Sequence, residues 1–348
     1  MTTIIFKNQE LYKNTSQFDK INEYINDFIS ILPEGISFDA ESLAERLSPE
    51  AILRDILQKT SSVEIKDVFI LLIFSVVVIF LSSFYKTKLV SMIEAGAGFV
   101  FLLKVVDGVC SLCVEVSGSL NKLSDFFASL TPILVSVSLF GGEKNASGAS
   151  AMQMALTSSV LQLVSGKLLI PLIFTMLSLG ILSVLGGTVT PKILNGLKDV
   201  FTKFLGLIST ITAALFSLQR LIASANDSAT LRLAKFTAQS LAPAAGTVIT
   251  ASMSTLASGI GYAKSVIGAG AIYAIILIML SPLPRLLLYR FAVGICRGLA
   301  DVLDVKLYSK GLLGVRYALD SLLSVYFIFG ALFIFEIILF IKGGVTSI

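Results

Sequence analysis

The sequence predicts an all-α, polytopic helical membrane protein of about seven to eight transmembrane helices, with a small helical extramembrane region at its N-terminus. Three observations predict it. Of the 348 residues, 55% are hydrophobic and only 14% charged, with mean hydropathy +0.87, far more apolar than a soluble chain of this length. Several runs approach the ~20 apolar residues that a helix rising ~1.5 Å per residue needs to cross ~30 Å of hydrocarbon. No series of ten-residue alternating segments suggests a barrel, which leaves helices, whose backbones satisfy their own hydrogen bonds in lipid. Charge divides the chain in two. Residues 1–67 hold 7 Lys/Arg against 12 Asp/Glu, net −5, whereas residues 68–348 hold 20 against 11, net +9. The expected organisation is an acidic helical extracytoplasmic region over 1–66 and a membrane domain over 67–348.

Composition also removes chemistry. With no histidine there are no imidazole ligands, bases or proton relays. No HExxH or GxSxG motif and no facing pair of intramembrane aspartates is recognisable. The sequence therefore predicts no catalytic residues, no metal, no cofactor and no nucleic-acid partner. Cys110, Cys113 and Cys296 are too few for a disulfide framework, and the Cys110-Ser-Leu-Cys113 spacing lies in an apolar, small-residue segment. These read as packing thiols on one helix face rather than a redox pair.

Residues 1–66 lack the basic start, apolar core and cleavage site of a secretory signal. Ile21, Ile25, Phe28 and Leu32 line one helix face, which Pro33 and Gly35 end. A second short helix is expected over 40–46, and a third from Ser48, an N-cap followed by Pro49 at the first helical position. Residues 68–85 form the clearest span, free of charge; Lys86 and Lys88 after it place the N-terminus outside by the positive-inside rule. Further spans are expected at 89–106, 126–140 with Pro132 inside it, 168–185, 200–218, 241–262, 266–280 and 322–341. Residues 141–150 read as a connector, 151–165 as interfacial, and 285–316, with six basic residues against Asp301 and Asp304, as an amphipathic helix on the cytosolic surface. Eight crossings follow, with both termini outside and residues 220–235 in the cytosol. Lys192 and Lys198 then fall outside, against the charge rule. Seven spans, or a re-entrant segment at 241–262, are alternatives. The 241–262 segment, rich in Ala, Gly, Ser and Thr, calls for enclosure by other helices.

The stretch 216–246 concentrates polar residues between two long apolar runs. Gln219, Arg220, Asp227, Arg232 and Lys235 are its candidate functional residues, for a partner or a polar path. Asp227 reads as the N-cap of a helix whose Arg232 and Lys235 share one side. The alternative is a cytosolic connector whose basic side chains reach the headgroups. Glu94 and Glu336 are intramembrane carboxylates, the candidate carriers if the chain is a stand-alone secondary transporter.

The order Leu218, Gln219, Ala225, Asp227, Leu231, Arg232, Ala234, Lys235, Phe236, Pro243, Gly246 resembles the central signature of the stage III sporulation protein AE family. A looser likeness extends from the helices before residue 68 to the terminal LDSLLSVYFIFGALFIFEIILF. The family commonly begins with an export signal, which residues 1–14 do not supply; either the start lies further upstream or residues 68–85 act as the topogenic signal. The resemblance implies a non-enzymatic, multi-pass component of the channel-like complex joining the mother cell to the engulfed forespore. It further implies partners from the same operon, including an ATPase and a ring-forming subunit, together with a forespore-made partner, and a place in the mother-cell membrane around the forespore. The alternative is a stand-alone permease.

Overall fold

The computed structural model describes residues 88–140, 144–184, 190–241 and 243–342, together with positions 54, 72, 73, 76, 77, 79 and 80. The helices expected at 21–32, 40–46 and from Ser48 lie outside the described residues. So does most of the span 68–85, of which Leu72, Ile73, Val76, Val77, Ile79 and Phe80 are helical and Ile79 is buried. The described residues are helical throughout apart from short turns, with no strand among them. The helices are α1 (Lys88–Phe140), α2 (Lys144–Gln162), a π-helical turn (Leu163–Leu169), α3 (Ile170–Val184), α4 (Thr190–Leu241), α5 (Pro243–Leu280), α6 (Leu283–Val302) and α7 (Lys306–Lys342).

Among the described residues four runs are long and apolar enough to cross a membrane: Ser147–Val184, Thr190–Gln219, Ser258–Leu280 and Tyr308–Lys342. Two expected pairs of separate helices are each one helix. Segments 89–106 and 126–140 both lie on α1, 53 residues without a turn, and Pro132 sits inside it without breaking it. Segments 241–262 and 266–280 likewise both lie on α5. Residues 151–165, read as interfacial, belong to α2 and the π turn and continue into α3 as one run.

α7 is the axis of the bundle, packed against every other helix. Paired residues give the directions. Ser119 with Tyr326 and Phe127 with Phe333 set α1 parallel to α7. Thr131 with Met154 and Ser124 with Gln162 set α2 antiparallel to α1. Val184 against Gly311 and Gly180 against Gly314 set α3 antiparallel to α7. Lys198 with Asp320, and Ser209 and Ala213 across a groove from Phe327 to Phe335, set α4 parallel to it. Ile278 with Tyr326 and Gly268 beside Ile337 and Ile341 set α5 antiparallel, and α6 continues that course through Arg290 with Asp320. The result is five rods alternating in direction: α1, α2–α3, α4, α5–α6 and α7. The end of α3 at Val184, the start of α4 at Thr190 and the turn 303–305 lie at one end. Phe140, Lys144, Leu241, Pro243 and the close of α7 lie toward the other. Residues 285–316 are therefore part of the bundle, not a helix lying on its surface.

Small residues set the tightest crossing. A Cβ on Gly314 would stand 2.5 Å from the Met176 carbonyl oxygen and 2.6 Å from Gly180 Cα, so α3 and α7 touch backbone to backbone. In lipid, where apolar surface gains little by leaving tails for a neighbouring helix, such contact drives association. The α5–α6 break is written in Pro282 and Pro284. Pro282 offers no N–H to the Ile278 carbonyl four residues back, and that carbonyl instead accepts from Ser119 Oγ at 3.0 Å and Tyr326 Oη at 3.3 Å. At the end of α6, Asp304 takes the left-handed conformation with φ 58°. Val305 N–H then reaches the Ala300 carbonyl at 2.9 Å and Asp304 N–H the Asp301 carbonyl at 3.3 Å, a Schellman closure.

Candidate functional site

The stretch 216–246 is not a loop with a new helix at Asp227. α4 runs unbroken from Thr190 to Leu241, so Asp227 lies inside a helix and cannot be an N-cap. Pro243 opens α5, the position where its fixed φ costs nothing. Beyond Gln219, α4 continues as helix for another 22 residues, roughly 33 Å at ~1.5 Å per residue. α5 packs against α4. The polar stretch thus belongs to the α4 arm of a helical hairpin. Gln219, at its base, is half-buried, with a buried Oε1 that accepts no hydrogen bond. The side chains of Arg220, Asp227, Arg232 and Lys235 lie outside the described residues, as does that of Glu94 on α1.

Glu336 is placed, on the α7 face turned inward, 2% exposed. Neither carboxyl oxygen has a hydrogen-bond partner. Thr157 of α2 lies beside it, but its hydroxyl donates to the Gln153 carbonyl at 3.0 Å, so its proton is engaged elsewhere. Lys264 of α5 is fully buried, its ammonium 5.4 Å from the Phe340 ring centre, one turn along α7 from Glu336. Among the described residues these two are the buried charged side chains.

α2 explains its own weak hydropathy. Ser147, Ser150, Gln153 and Thr157, at helical spacing, are all buried, whereas Met152, Leu156 and Leu163 are 55%, 40% and 49% exposed. The helix is polar inward and apolar outward. Gln153 Nε2 donates to the Phe216 carbonyl at 2.8 Å, which ties α2 to the base of the hairpin.

Sequence reasoning missed a charged junction nearer the other end of the bundle. Asp320 of α7, 14% exposed, accepts from Arg290 of α6 at 2.6 Å and from Lys198 of α4 at 3.4 Å. Lys198 also lies 4.4 Å from the Tyr317 ring centre, and the Tyr317 hydroxyl donates to Asn195. Arg285 pairs with Glu115 at 3.0 Å, and Arg297 stands 3.9 Å from Asp301. Each arginine of α6 is thus answered by a carboxylate of the same chain. The available signal was their spacing against Glu115 and Asp320, visible only once α1, α6 and α7 are known to be neighbours.

Cys113 is buried and Cys110 half-buried, both on α1 outside the four apolar runs. Such burial fits packing thiols on one helix face. No group of three His, Cys, Asp or Glu able to hold a metal occurs among the described residues.

No curated protein and no solved structure matches this chain. The model of the family described as stage III sporulation protein AE matches residues 25–344. The match takes in the whole hairpin and all five rods down to Lys342. Covering nearly the entire sequence, it establishes that this chain belongs to the stage III sporulation protein AE family.

Proposed function

We propose that the protein is a non-enzymatic membrane component of the transenvelope channel complex that joins mother cell and forespore, seated in the mother-cell membrane. The family match over residues 25–344 carries this reading. In it, residues 68–85 cross first and the five rods follow, giving six crossings instead of eight. Lys86, Lys88, Lys192, Lys198, Lys306 and Lys310 then gather at the cytosolic end, as the positive-inside rule asks, and Lys192 and Lys198 no longer stand against it. The acidic residues 1–66 and the hairpin with Arg232 and Lys235 share the opposite face, the space between the two membranes. There the hairpin is the docking element for the forespore-made partner, while operon partners, including the ATPase and the ring-forming subunit, assemble around the bundle.

Affinity purification of the chain from sporulating cells tests the reading, and co-recovery of those partners is expected. A lone protein that moves solute in liposomes would instead establish the stand-alone permease. Single cysteines at Ser37 and Ser228, in a background without the native three, test the layout. Both label from the same side; labelling from opposite sides refutes six crossings.

A further inference from the structure

The buried face of α2 and the unpartnered carboxyl of Glu336 form one continuous feature. By the α1–α2 register, Ser138 of α1, buried and without a partner for its Oγ, lies level with Ser147. From there Ser147, Ser150, Gln153 and Thr157 descend the inward face of α2 to Glu336. This row spans roughly 15 Å at ~1.5 Å per residue. It begins at the end of the bundle where α1 meets α2 and α7 closes at Lys342. In the other direction the row is interrupted by apolar packing: Phe127 and Phe333 stack with ring centres 3.9 Å apart, Leu130 and Leu161 are fully buried, and the next polar groups, Gln162 with Ser124 and the buried Ser165, lie beyond them. The uninterrupted polar approach to the carboxyl is therefore the one from the α1–α2 end.

A carboxylate in the interior without a donor carries an uncompensated desolvation cost of several kcal/mol. It is relieved by a proton or by a cation. A hard metal ion calls for about six oxygens, and the side-chain oxygen placed beside Glu336 among the described residues is the Thr157 hydroxyl. A proton needs only the carboxyl itself. The charged groups around the site are few. α5 brings Lys264, held over Phe340; α7 itself brings Lys342 at its exposed end; α1, α2 and α4 bring no buried charged side chain among the described residues.

We propose that Glu336 is a proton-binding site in the membrane domain. It exchanges its proton with one face only, along the row of Ser138, Ser147, Ser150, Gln153 and Thr157. In the exchange the O–H bond of the acid breaks, the proton passes to water at the α1–α2 end, and the electron pair stays on the carboxylate; nothing is oxidised or reduced. The charge state of Glu336 then follows the pH of that one face.

Infrared spectroscopy of the purified full-length chain in detergent reads this directly. A carboxylic acid C=O band, absent from Glu336→Gln, is expected from the folded chain. Its shift in heavy water is expected to slow about tenfold in the double variant Ser150→Ala, Thr157→Val, by the same hydroxyl-relay logic. Absence of an acid band at every pH overturns the site. A band whose deuterium shift is unchanged in the double variant overturns the path. The double variant keeps Glu336, so the band is read even if Glu336→Gln fails to fold. Partner recovery is a separate measurement, so its failure leaves this result untouched.

Discussion

Gly314→Ala is the sharpest test of how the rods are held together. The added Cβ meets the Met176 carbonyl oxygen at 2.5 Å and Gly180 Cα at 2.6 Å, both backbone atoms of α3 that no rotamer change can move. Ordinary carbon contacts need about 3.5–4.0 Å, so α3 and α7 must part by about 1 Å. A gap of that size forfeits about a quarter to a half of the dispersion along the interface. Over-packing costs about 1–3 kcal/mol where side chains can yield, and here the backbone itself must move. We expect a loss of about 3 kcal/mol in denaturant-induced unfolding in detergent. Two glycines calibrate the result. Gly196 has nothing within 4 Å of its added Cβ, so Gly196→Ala stabilises by about 0.5–1 kcal/mol through helix propensity. At Gly330 the Cβ would approach Met279 Sδ more closely still, yet that is the tip of a flexible thioether, so Gly330→Ala costs only about 1 kcal/mol. A loss below about 1 kcal/mol for Gly314→Ala, or a greater loss at Gly330, would refute the reasoning.

Three more outcomes follow from the geometry. Ser119→Ala and Tyr326→Phe each cost about 1 kcal/mol, since the other hydroxyl still serves the Ile278 carbonyl, and the double variant costs more than their sum; strict additivity in the cycle refutes the shared clamp. Asp304→Gly raises stability by about 1 kcal/mol, because glycine takes φ 58° without a Cβ penalty; a lower melting temperature would contradict this. Cys113 is buried and Cys110 half-buried on α1, so alkylation at about pH 7.5 is slower than in the unfolded chain; equal rates in the folded and unfolded chain refute it.

The all-helical class, the break at Pro282 and Pro284, the turn after Phe140 and the family were legible because each is written locally, in hydropathy, in proline chemistry or in residue order. The extent of the individual helices was not. Hydropathy over a short window registers preference for lipid, and α1 alternates apolar runs with a middle that carries Glu115, Lys122 and Asp125, so one helix read as two. α2 failed in the opposite way. Its Ser147, Gln153 and Thr157 lower the window average although they face inward, so a core helix read as interfacial. The hairpin was misread because Asn226 and Asp227 are cap formers by local chemistry, yet here the helix simply continues through them. Glu336 was legible as a residue and not as a site. Its isolation depends on which groups α2, α5 and α7 turn toward one another, and that is decided by the antiparallel order of the rods.

The unbroken course of α4 makes it a mechanical element. Between Gly206 and Pro243 it contains neither glycine nor proline, so no hinge separates the part up to Gln219 from the part that carries Asp227, Arg232 and Lys235. A load on the tip is transmitted as leverage: with an arm of ~33 Å, a displacement of about 3 Å at the tip corresponds to a rotation of only about 5° where the rod enters the bundle. Phe216 lies at that fulcrum, fully packed, its carbonyl held by Gln153. Whatever grips the hairpin therefore pulls on α2, the helix that carries the polar row.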